Sequence, residues 1–137
     1  MNIGLGDRRQ TILLVDADAH ARKTLRIALE ASGFSVGEAC SAHEGERTAR
    51  RIQPAAILAD LMTDSANHGA TLPERLHAAG LTIPIYIVST GSDAVFNAVG
   101  LHELGVAGVF LKPADSAIII ETLKIRLGRR LDHDAHA

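Results

Sequence analysis

One cysteine, Cys40, is too few for an internal disulfide, and the first ten residues lack the long apolar stretch of a secretion signal. A cytoplasmic protein is the expectation. The apolar blocks, such as Ile83 to Val88 and Ala117 to Ile120, fall far short of the roughly 18 residues that a membrane-spanning helix needs. No membrane contact is expected. No long basic run occurs, and 14 Lys and Arg against 16 Asp and Glu leave a net charge of −2, which supplies no electrostatic footprint for direct nucleic-acid binding. Gly4 and Gly6 precede the first apolar run, so no glycine-rich phosphate loop follows it, and the scattered histidines offer no third ligand near His133 and His136 for zinc. Repeats and low-complexity linkers are absent as well.

What remains is a chain of 137 residues, 47% hydrophobic, the size of one globular domain. The domain is expected over 10–128, with Met1 to Arg9 and 129–137 as short flexible termini. Short apolar runs alternate with segments of helical period, the pattern of parallel strands joined by crossover helices. Strands are predicted at Thr11 to Val15, Phe34 to Ala39, Ala55 to Ala59, Ile83 to Ser89 and Ala107 to Leu111. The first, third and fourth read as buried on both faces and therefore central. Helices are predicted over Ala19 to Ser32, Ala42 to Ile52, Ala70 to Ala79, Asp93 to Leu104 and Ser116 to Arg130, with Gly33, Gly80 and Gly105 as stops. The fold class is α/β, a five-stranded parallel sheet with helices on both faces.

The first helix sets Ala21, Leu25, Ala28 and Leu29 on one stripe and Arg22, Lys23, Arg26 and Glu30 on the other side, so it packs by one face. In the last helix Ile119, Ile120, Leu123 and Leu127 form one stripe while Ile118 and Ile125 point away. Those two isoleucines are either a partner surface or isolated exposed residues.

In an open parallel sheet the reactive crevice lies beyond the carboxyl ends of the central strands. Asp16 and Asp18 end the first strand, Asp60 the third, Ser89 and Thr90 the fourth, and Lys112-Pro113 the fifth. Carboxylates can supply a nucleophile or hold Mg²⁺, and hydroxyl and ammonium groups can stabilise transferred oxygens, so the set suits phosphoryl transfer. Aspartates crowded together repel one another, which also favours a cation site.

From about Gln10 to Leu127 these residues closely resemble the receiver domain of two-component response regulators. The resemblance rests on Ile12-Leu13-Leu14-Val15-Asp16 followed by Arg22, Leu25, Leu29, Gly33, Phe34 and Val36. It continues in Pro54 to Asp60, Pro84 to Ser89, and Gly105 to Pro113. It implies a (βα)5 flavodoxin-like fold and a signalling phosphoprotein, not an enzyme. Asp60 would accept a phosphoryl group from a histidine kinase, a histidine phosphotransfer protein or a small acyl phosphate. Mg²⁺ would be held by Asp16, Asp60 and the main-chain carbonyl of Met62, Lys112 would pair with a phosphoryl oxygen, and Ser89 would hydrogen-bond another. The resemblance also implies a cis Lys112-Pro113 bond, an output partner acting in trans, and a homodimer face made by the 93–104 helix, the 107–111 strand and the last helix.

The chain departs from the family pattern in three places: the turn after the first strand, the loop after Asp60, and the last strand. Ala17 stands where a second acid is usual and Asp18 follows it, either turned toward the metal or capping the first helix. Asp64 and Gly69 alter the loop after Asp60. Val109 stands where the family carries a switching aromatic, and strand alternation turns Phe110 to the opposite face. These departures support an alternative, a degenerate receiver that binds partners without phosphorylation. A minor alternative from another class comes from Asp16-Ala17-Asp18, which resembles the first motif of haloacid-dehalogenase-type phosphatases, with Asp16 as nucleophile and Asp18 as general acid.

Overall fold

The computed structural model describes residues 9–60, 71–89 and 106–136, with residues 129–136 given by their backbone. In chain order the elements are β1 (Thr11–Val15), α1 (Ala19–Ala31), β2 (Ser35–Ala39), α2 (Ala42–Ile52), β3 (Ala56–Asp60), α3 (Leu72–Ala78), β4 (Ile85–Ser89), β5 (Val106–Leu111) and α4 (Ser116–His136). The strands form one five-stranded sheet in the order β2-β1-β3-β4-β5. Every pairing is parallel.

Ile12, Leu13, Leu14 and Val15 are all buried, as a strand covered on both faces requires. Their alternation divides the core. Ile12 and Leu14 pack with Leu29 of α1 and with Ile119, Leu123 and Leu127 of α4. Leu13 and Val15 pack on the other face with Ala49 of α2 and with Leu72 and Leu76 of α3. β1, β3 and β4 are therefore the interior strands that their apolar runs predict.

Each helix begins on a side chain that satisfies free N–H groups. Asp18 caps α1, Ser41 caps α2, Thr71 forms a capping box with Glu74 at α3, and the Asp115 carboxylate accepts from the Ala117 amide at the start of α4. Gly33 and Gly80 follow α1 and α3 with φ of 100° and 75°, the left-handed conformation that stops a helix at least cost.

Three details correct the sequence expectation. α3 begins at Leu72, not Ala70, because Thr71 is the cap and forms a capping box with Glu74 across Leu72 and Pro73. α4 runs past the expected end at Arg130 to His136, and no proline or positive-φ residue interrupts it. Arg22, expected on the outer side of α1, bends back toward the sheet and its side chain is only 17% exposed. The predicted helix over Asp93 to Leu104, and with it Thr90, Asp64, Gly69, Gly105 and Met62, lies outside the described residues.

Candidate functional site

β1 is joined to β2 on one side of the sheet, and β3 leads to β4 on the other, so the chain reverses its direction of winding between β1 and β3. Helices leave opposite faces there and open a crevice at the carboxyl edge. Asp16 follows β1 and Asp60 ends β3, one on each side of that point. Register places Asp60 beside Val88 and Ser89 beside Leu111, which carries Lys112 to the same edge.

Lys112 Nζ donates to Asp60 Oδ2 at 3.2 Å. The Asp60 side chain is 11% exposed and Lys112 is 36% exposed, so a partly buried carboxylate faces an ammonium that water still reaches. The Lys112 amide donates to Ser89 O at 2.8 Å, fastening the turn after β5 to the end of β4. The Lys112-Pro113 bond is cis, as the resemblance implies.

Asp16 is half-buried. Burial pushes its carboxyl pKa above the ordinary value, the charges of Asp60 and Asp18 push in the same direction, and the Asp18 amide and Lys112 act against them. The Asp18 amide donates to Asp16 Oδ1 at 2.8 Å. Asp18 itself is exposed, and its Oδ1 accepts from the amides of His20 at 2.9 Å and Ala21 at 3.3 Å. A cavity of about 700 Å³ opens beside Asp16, Asp60 and Lys112 and is also lined by His20, Arg22 and Pro113.

The predicted residues thus divide. Asp16, Asp60 and Lys112 come together, Asp18 is turned to the helix cap, and Ser89 stands at the adjacent strand end fully buried. Two carboxylates lining one cavity, Asp16 and Asp60, form a donor pair suited to a hard cation, which needs only one or two carboxylates beside water and phosphate oxygens. Among the described residues no group of three or more metal-ligating side chains forms. Val109 and Phe110 lie on opposite faces as alternation predicts, with Phe110 stacked on Tyr86 at 5.7 Å between ring centroids. Cys40 is exposed beyond β2, an edge strand.

Sequence reading missed the role of Arg22. Its Nη1 donates to the main-chain oxygen of Asp16 and its Nε to Glu38 at 3.0 Å. Only the parallel pairing of β1 with β2 brings Glu38 to that place.

Residues 12–124 match the response regulator receiver domain family. The chain belongs to that family. Among its relatives, the DNA-binding response regulator MtrA of Mycobacterium tuberculosis is 30% identical over 127 residues, 93% of this chain and 54% of that protein. The photosynthetic apparatus regulatory protein RegA of Cereibacter sphaeroides is 32% identical over 114 residues, 83% of this chain and 61% of that protein. The chain thus spans about half the length of the curated relatives it matches. Of solved structures, the N-terminal domain of an uncharacterized protein from Wolinella succinogenes aligns with a TM-score of 0.79 at 26% identity, covering 90% of this chain and 98% of that one. A receiver domain protein from Methanospirillum hungatei aligns at 0.75 and 22% identity, covering 91% and 98%. The receiver domain is a signalling module of two-component systems. The dehalogenase-type reading falls with this assignment, and Asp18 is bound to the helix cap where that chemistry would require a general acid. No helix among the described residues is long and apolar enough to cross a membrane.

Proposed function

We propose that this receiver domain accepts a phosphoryl group on Asp60 from a histidine kinase or a histidine phosphotransfer protein. The observation that carries the proposal is the 3.2 Å pairing of Lys112 with Asp60, with Asp16 beside it at the winding reversal of the sheet. A carboxylate oxygen of Asp60 attacks phosphorus, the bond from phosphorus to the donor imidazole nitrogen breaks, and the imidazole, which carries a proton on its other ring nitrogen, leaves neutral with an aspartyl phosphate formed. Lys112 turns from the Asp60 carboxylate to a phosphoryl oxygen. Ser89, buried before transfer, hydrogen-bonds a second oxygen once its hydroxyl is uncovered.

Mg²⁺, held by Asp16, Asp60 and the Met62 main-chain carbonyl, would neutralise the charge that repels the incoming group, with Asp18, whose Oδ1 caps α1, as the outlying candidate ligand. The domain is assigned to the cytoplasm, and its net charge of −2 favours a protein partner over direct contact with nucleic acid. The exposed Ile118 and Ile125 of α4, together with β5 and the 93–104 segment, are assigned to a homodimer face.

A second reading, a receiver that binds partners without phosphorylation, is favoured by one observation: with Ala17 in the turn, the remaining extra acid, Asp18, is engaged in capping α1. Incubation with acetyl phosphate and Mg²⁺, borohydride trapping of the acyl phosphate and mass-spectrometric mapping separate the two. Label on Asp60 supports phosphoryl acceptance. No label beside a labelled control receiver supports the docking module, and label on Asp16 contradicts both.

A further inference from the structure

Asp16 is held from three directions. Its amide donates to Ala39 O at 3.0 Å, its Oδ1 accepts from the Asp18 amide at 2.8 Å, and its carbonyl accepts from Nη1 of Arg22. The third hold is the charged one. Arg22 lies in the first turn of α1 and Nε donates to Glu38 Oε1 at 3.0 Å, while the other Glu38 oxygen lies 3.1 Å from Arg26 Nε. One guanidinium thereby joins the end of β1 to β2 through α1, with only 17% of the side chain exposed.

An ordinary surface ion pair of this kind adds little to stability, at most about 1 kcal/mol. Its direction is the informative feature, because the fork ends on the main chain of Asp16, the acid of this turn that faces the cavity, while Ala17 has no carboxylate and Asp18 Oδ1 caps α1. A small hard cation tolerates little departure from octahedral geometry, so a site with few carboxylates depends on each being fixed before the ion arrives. We propose that Arg22, anchored by Glu38, is a positioning residue that presets Asp16 for a divalent cation. The inference rests on the metal-assisted reading above.

The test uses the full chain and amide NMR. In the metal-free protein, Arg22→Ala shifts the Asp18 amide resonance, because that N–H reports the place of the Asp16 carboxylate. Titration with MgCl₂, followed at the amides of residues 16–18, gives a half-saturation about tenfold higher in Arg22→Ala than in the parent. Arg22→Lys recovers part of the loss, since an ammonium still reaches the Asp16 carbonyl without holding Glu38 as well. Melting followed by circular dichroism identifies a merely structural role, in which stability falls while half-saturation stays put. That result overturns the proposal. Should Arg22→Ala fail to fold, Glu38→Gln takes its place with an expected rise of about threefold, and an unmoved half-saturation there overturns the proposal equally. A parent chain that shows no Mg²⁺ response overturns the metal reading itself, which separates that failure from failure of the role given to Arg22.

Discussion

Lys112 Nζ and Asp60 Oδ2 meet at 3.2 Å across the end of β4, joining two strands that are not neighbours in the sheet. The pair is made at the edge, with the lysine reached by water, so its contribution to folding is expected to be small. Lys112→Ala is expected to slow labelling of Asp60 by acetyl phosphate on the order of 100-fold, the loss typical when one charge-stabilising donor is removed. The same substitution should change stability by no more than about 1 kcal/mol, since the lysine is well exposed. Time courses of trapped label and melting curves measure the two effects.

Asp16 has its pKa raised chiefly by burial, with the charge of Asp60 adding to it. The folded protein therefore holds this proton more tightly than the unfolded chain does. The stabilisation is complete below the ordinary value of 3.8 and is lost as the pH rises through the folded value, leaving an unfavourable charge at neutral pH. Asp16→Asn is expected to raise the metal-free melting temperature at pH 7 by about 1–3 °C and to flatten that part of the pH profile. Calorimetry from pH 4 to 8 without Mg²⁺ checks the sign, and a lower melting temperature for the variant would contradict it.

Asp18 separates capping from metal binding by its two possible substitutions. Asn caps a helix as well as Asp does, whereas Ala loses about 1 kcal/mol. Asp18→Ala should therefore lower the melting temperature by several degrees and Asp18→Asn should not. Because Oδ1 is turned to the amides of His20 and Ala21, Asp18→Asn is expected to raise the Mg²⁺ half-saturation less than Asp16→Asn does.

Ile118 and Ile125 are 57% and 48% exposed on the side of α4 away from the core. Replacing both with Glu should leave stability within about 0.5 kcal/mol, as for surface positions generally. If they form the proposed homodimer face, sedimentation of the acetyl phosphate-treated parent shows a dimer that the double variant loses.

Much of the architecture was legible because it depends on local pattern. The runs Ile12 to Val15 and Ile85 to Ile87 are buried on both sides, so apolar continuity alone marks them as interior strands. Their ends then fix where Asp16, Asp60 and Lys112 emerge. The start of α3 is less legible, because a helix boundary is set by one cap, here Thr71 with Glu74, which side-chain periodicity does not locate.

By itself, then, the sequence determined the order and type of elements and which acids and lysine lie at strand ends, since side-chain periodicity and strand termini are properties of neighbouring residues. Tertiary structure alone decided that Arg22 turns inward to the Asp16 carbonyl and that Ser89 is covered. Those outcomes depend on distances between segments far apart in the chain, such as Arg22 and Glu38, and on competition among several partners for one polar group. Neither distance nor competition is encoded in a local pattern; both arise when β1 pairs with β2 and α1 packs over them.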